Sequence, residues 1–446
     1  MTANRQPRRL LFFSLAFTFG LFSLSMKTKA QSFPSIDNLR AQAGWPDPLV
    51  MLDGTPVKSK KVWEEKRRPE LKALFQHYMY GAIPPKPAQV DFKVKSTHKD
   101  FLDGKATLKM VEISFGSPKA PRIDLMVVTP NQTRRPAPIF LTMNFCGNHA
   151  ITDDPRVPLT RGWLYNTCKG CTNNTATEAA RGGQAKDWPL DELVSHGFAF
   201  ASFCSSDVDS DRADVSDGIY AWLASQKPGS NSPTHNRGSI AAWAWGYHRC
   251  VDYLETDAAI DAKRIAAVGH SRNGKTALLA AAFDERIALS IPCQAGSGGT
   301  GPSRVSAGLA APQANGRPTA ETIAVINKNF PHWFNAEFKK FNGEPEKLPF
   351  DQHLLIALCA PRPVLLANAK EDQWANPSGQ FELLQAAEPV YLLTGGGKVA
   401  AKEMPPIGQL VDSRLGYFIR AGRHSMGADD WRAFLAFAEQ HLGTGK

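Results

Sequence analysis

The chain has 446 residues, 43% of them hydrophobic, with ten tryptophans and 25 phenylalanines, enough apolar bulk for one large domain or two small ones. Charged residues make up 21%, which excludes wholesale disorder. The formal charge of +10 falls to +5 once residues 1–30 are set aside, and so small an excess over the remaining chain excludes nucleic-acid binding.

Arg5, Arg8 and Arg9 open the chain, an apolar run follows over 10–24, and Thr28-Lys29-Ala30 places small residues where a signal peptidase reads. This pattern predicts a secretory signal over 1–30, cleaved after Ala30, and a periplasmic or secreted protein. The apolar run is short for a full span of about 20 residues, so no membrane attachment is expected after cleavage. Residues 31–120 read as an N-terminal extension packed on a catalytic domain over 121–446. Within the extension, apolar residues at helical spacing predict a helix over 62–80.

Strands are then predicted at 123–128, 138–145, 197–203, 264–269, 288–292, 363–367 and 417–420. Helical stretches lie between and after them, at 240–255, 275–283 and 430–442. Strands alternating with helices imply a three-layer α/β sandwich around a mostly parallel, twisted sheet. The polar connections 150–190 and 296–350 are long for such a fold and are expected to build the binding site. The seven cysteines are odd in number. Cys168-Lys169-Gly170-Cys171 lacks the second pair a zinc site needs, so a local disulfide in an exported loop is expected. Cys293 and Cys359 lie in apolar strands and read as small core residues.

The most informative stretch runs from Arg264 to Lys275. An apolar strand leads into Gly269-His270-Ser271, Gly274 follows three residues later, and a helix begins. This is a nucleophile elbow, with Ser271 on a sharp strand-to-helix turn and helix N–H groups behind it, although the second glycine stands one position later than in GxSxG.

Gly269-His270-Ser271-Arg272-Asn273-Gly274-Lys275 resembles the signature of glucuronoyl esterases, carbohydrate esterase family 15. Blocks at 291–299, 330–334, 351–355, 360–363 and 371–375 resemble later family segments in the same order. The resemblance implies the α/β-hydrolase fold and a Ser-His-acid triad with no metal or organic cofactor. In that fold the base follows the last strand, and His424 stands there, just before the final helix. His332 and His353 lie too early in the chain for that role.

Many family members carry a Glu after the sixth strand, where this chain has Gln294; others place an Asp after the seventh, which selects Asp372 over its neighbour Glu371. The resemblance also implicates the Arg272 side chain at the oxyanion, and Lys275, Glu321 and Trp374 as contacts to a uronic-acid ring. Residues 145–149 are read as pocket lining. The implied reaction is hydrolysis of the ester between (4-O-methyl-)glucuronic acid of plant cell-wall xylan and a lignin alcohol, by a monomer. The alternatives are a carbohydrate acetyl esterase on the same fold and an impaired uronate-binding homologue, the latter suggested by Gln294 alone.

Overall fold

A ten-stranded sheet in the order β1-β2-β3-β5-β4-β6-β7-β8-β10-β9 organises the protein. The computed structural model describes residues 1–2 and 33–443, apart from 134–135, 215, 227–235, 315 and 317. Beyond its first two residues, the expected signal segment lies outside the described residues. Among the described residues, no helix is long and apolar enough to cross a membrane.

The central strands are β4 (Ala137–Asn144), β6 (Ile260–His270), β7 (Ile287–Cys293) and β8 (Val364–Ala369). They run parallel with β5 (Ala199–Cys204) on one side and β10 (Leu415–Arg420) on the other. β1 (Asp91–Phe101), β2 (Ala106–Ser114) and β3 (Ile123–Pro130) pair antiparallel at one edge, and β9 (Leu410–Val411) closes the other. This is the α/β-hydrolase arrangement.

Both faces of the sheet are covered, and the alternation of side chains along each strand shows why. Ile139, Leu141, Ile265 and Ala267 join one core, which also holds Trp243, Trp245 and Leu278. Phe140, Ala266 and Val268 turn to a second core with Phe198, Trp431 and Phe434. Parallel strands buried on both faces read as unbroken apolar runs, and β4 and β5 are buried at every position.

The sequence suggested only a helix before residue 120, and β1 and β2 are additional. β1 is an edge strand whose exposed residues are Lys, Asp and Thr with one Val, with little apolar alternation to betray it. Charges on an edge discourage pairing with another sheet. The helix is present: α1 (Arg68–Phe75) is continued by π-turns at Trp63–Arg67 and Gln76–Tyr80, and Trp63, Leu71, Leu74 and Phe75 are fully buried. Its Arg67 and Glu70 form a buried ion pair of 2.6 Å.

The expected Cys168–Cys171 disulfide does not form. Gly170, at φ 75°, turns the chain so that Cys171 N donates to Cys168 O at 3.0 Å. The Cys168 side chain packs in a small cluster with Phe145, Cys146, Ala150, Tyr165 and Cys171. Cys168 pairs with Cys146 across a Cα separation of 5.6 Å, and Cys171 stays free. A non-reducing peptide map should link the peptides holding residues 146 and 168 and leave Cys171 open to alkylation. Cys168→Ala should lower unfolding stability by about 2–4 kcal/mol in denaturant titration.

Candidate active site

Strand β6 ends at His270, and helix α2 (Arg272–Phe283) starts two residues later. Ser271 joins them at φ 60° and ψ −124°, a left-handed conformation that costs a non-glycine residue about 1–3 kcal/mol. Two glycines make the turn possible. A Cβ on Gly269 would lie 2.1 Å from Asn273 O, and one on Gly274 would lie 2.8 Å from Gly269 O. Each glycine faces the backbone carrying the other, so the late position of the second still serves the turn. Ser271 O accepts from Gly274 N and Lys275 N, which begins the helix under the serine.

His424 and Asp372 arrive from the next strand ends. His424 follows β10, and its Nδ1 donates to Asp372 Oδ2 at 2.6 Å. That bond leaves Nε2 as the ring's free acceptor. The Asp372 side chain is 3% exposed and that of His424 41%. Asp372 also accepts from Ala375 N at 3.4 Å, so it caps the following turn while holding the imidazole. Glu371 turns away and accepts from Gly422 N at 3.0 Å. The His270 ring lies 4.5 Å from that of His424. Burial, then the nearby His424, push His270 down to about 3, so it stays neutral beside the base.

Ser271, Arg272 and His424 line one cavity of about 220 Å³ with Lys275, Glu321 and Trp374, and Asp372 stands behind His424; residues 145–149, expected as pocket lining, do not line it, and Phe145 lies against Arg272 instead. Glu321 is held beside Trp374, because Glu321 N donates to Trp374 O at 3.0 Å. Lys275 Nζ donates to Ser297 O at 2.6 Å and to Ala295 O. Burial pushes Lys275 down to about 8 against the opposing pull of Glu321. Glu321 is itself raised by burial, opposed by Lys275 and by a hydrogen bond from Trp374.

Sequence reasoning missed what surrounds Arg272. Its guanidinium sits 4.7 Å from the Trp333 ring, 5.1 Å from Phe330, 5.4 Å from Tyr165 and 5.6 Å from Phe145. Phe330 and Trp333 stack at 3.7 Å. Arg272 Nη1 donates to Tyr165 Oη at 3.0 Å and pairs with Asp211 Oδ2. Asp211 Oδ1 receives His332 Nε2 and Trp333 Nε1, each at 2.8 Å. Burial alone would raise the Asp211 carboxyl, but these partners hold it below the usual range. His332, rejected as the base, thus serves the arginine. Phe330 to Phe334 stood out in the sequence as a block, whereas nothing distinguished Asp211 from the other acids of its loop.

A family model described as fungal glucuronyl esterase matches residues 195–395. A carbohydrate esterase from an unknown prokaryotic organism is 42% identical over 403 residues, 90% of this chain and 90% of the relative. A 4-O-methyl-glucuronoyl methylesterase of Phanerochaete carnosa is 30% identical over 357 residues, 78% of this chain and 72% of the relative. Among solved structures, a promiscuous family 15 carbohydrate esterase from a marine bacterial metagenome is 41% identical with a TM-score of 0.81, over 91% of this chain and 99% of that one. A glucuronoyl esterase from Solibacter usitatus is 35% identical with a TM-score of 0.82, over 91% of this chain and all of its own.

The elbow geometry makes a direct prediction. Gly269→Ala drives a methyl group into the Asn273 backbone, and thermal unfolding should show a loss of about 1–3 kcal/mol or more.

Proposed function

This chain belongs to the glucuronoyl esterases of carbohydrate esterase family 15, and from that premise we propose that it hydrolyses the ester between (4-O-methyl-)glucuronic acid of glucuronoxylan and lignin alcohols. The observation that carries this reading is the shared cavity, in which Ser271 and the Asp372–His424 pair adjoin a lysine, a glutamate and a tryptophan suited to a hydroxylated ring. A Trp face covers a pyranose, Lys275 Nζ has a third N–H beyond its two carbonyl partners, and the Glu321 carboxylate accepts hydroxyls. The basic, apolar and small-residue pattern of residues 1–30 supports export to the periplasm or beyond, where such polymers are met.

His424 Nε2 takes the proton of Ser271 as Oγ attacks the uronoyl carbonyl. Asp372 stabilises the imidazolium without taking its proton. The carbonyl oxygen becomes an oxyanion beside the helix N-terminus, where the Arg272 N–H and guanidinium supply positive potential. His424 then protonates the departing alcohol. A water attacks the acyl-enzyme with His424 again as base, and the uronic acid leaves with Ser271 restored.

Hydrolysis of benzyl glucuronate compared with a galacturonate ester and acetylated xylan tests the assignment. Preference for the glucuronate ester is expected, and a preference for acetylated xylan would replace this reading with the acetyl-esterase one. Ser271→Ala should abolish turnover, and Asp372→Asn should lower kcat by roughly 10²- to 10⁴-fold, while Glu371→Gln stays within a few-fold of wild type. Lys275 carries its charge below about pH 8 and loses a donor above it. The KM for a glucuronate ester should therefore rise as pH passes about 8, whereas hydrolysis of p-nitrophenyl acetate, which has no ring to bind, should show no such limb.

A further inference from the structure

We propose that Gln294 is a positioning residue that fixes the peptide following the general base, and so sets where His424 can point. This inference rests on His424 being the base. Gln294 follows β7 with φ 49° and a relative exposure of 1%. Its own N–H donates to Ala367 O on β8 at 2.7 Å, which anchors it to the sheet. Its side-chain amide meets Ser425 twice: Nε2 donates to Ser425 O at 2.7 Å, and Oε1 accepts from Ser425 N at 3.0 Å. A primary amide matches a backbone N–H and C=O as a neighbouring strand would. A carboxylate offers acceptors only, so it could receive Ser425 N–H but would confront Ser425 O.

The rest of the loop is held as closely. Arg420 Nη2 donates to Ser425 O at 2.6 Å, and Arg420 Nε pairs with buried Asp430 at 2.8 Å. Asp430 Oδ2 also receives Gly427 N at 3.0 Å. On the other side of the base, Glu371 N donates to Gly422 O at 3.1 Å, and the Glu371 carboxylate receives Gly422 N. The backbone is thus tied on both sides of His424, and the imidazole keeps only its side-chain torsions, which the bond to Asp372 settles. Gln294 stands where the family resemblance leads one to expect a glutamate. Here that position has become a latch for the loop, and Asp372 bonds the ring. The substitution that suggested an impaired homologue is therefore part of a complete site.

The test is a double-mutant cycle read with benzyl glucuronate and with p-nitrophenyl acetate. Gln294→Leu keeps the volume and removes both bonds. Its kcat should fall by roughly 10- to 100-fold, because small misplacements of a reacting group are costly, while KM stays within about twofold. Combined with Asp372→Asn, it should lose at most a few-fold beyond the poorer single variant, because both act through one imidazole. A kcat within about threefold of wild type, or losses that simply multiply in the double variant, would overturn the proposal. If Gln294→Leu fails to fold, Gln294→Met decides on the same criteria, since its unbranched side chain fills similar space and supplies neither bond. Wild-type turnover of the acetate ester alone would remove the uronate assignment and leave this cycle readable. A wild type inert toward both esters would remove the base and the latch together.

Discussion

The backbone of Ser271 is forced into a left-handed turn by the closeness of Gly269 to Asn273 and of Gly274 to Gly269, and every later feature of the site is arranged around that turn. A strained residue persists only where its surroundings leave no alternative. Here the surroundings are a parallel strand buried on both faces and a helix whose residues from Asn273 to Ala282 are all buried. The two cores press the sheet from opposite sides, and the turn at its carboxyl end is where the chain must reverse. The serine hydroxyl is thereby presented at an edge to which β7, β8 and β10 also bring their following loops.

Around that edge, the permanent cations lie near anions: Arg272 pairs with Asp211 and Lys275 feels the field of Glu321, while the neutral His424 ring bonds Asp372. Buried charges are tolerated when paired and hydrogen-bonded, and each pair here also has further partners. The pairing gives the pocket strong local fields with little net charge. An ester is neutral and its hydrolysed acid is anionic, so a pocket without excess positive charge can polarise the first without trapping the second. The four rings about Arg272 add a geometric demand, because a flat guanidinium can lie against ring faces as a lysine ammonium cannot.

The strands of the central sheet and the helices at 240–255, 275–283 and 430–442 were legible in the sequence because burial on both faces leaves long apolar runs. β1 and β2 were not, since an edge strand such as Asp91–Phe101 carries charges on its exposed side. Ser271 announced itself through its glycines, and His424 through its place after the last strand. Asp372, Lys275, Glu321 and Trp374 were reached through resemblance rather than through any local pattern. Asp211 and the disulfide partner of Cys168 were out of reach because both depend on contacts between distant loops. The separation between Cys146 and Cys168 is 22 residues, whereas the CxxC offered a partner nearer in sequence.

That disulfide has a consequence for where the protein can mature. Cys146 adjoins Phe145 and Cys168 lies three residues after Tyr165, so the cross-link staples together two of the aromatic walls around Arg272. The loops that carry these walls are thus cross-linked beside the arginine. A thiol-rich medium would leave that cross-link open, and an oxidising one closes it, so the redox state of the surroundings bears directly on how firmly the arginine's walls are held.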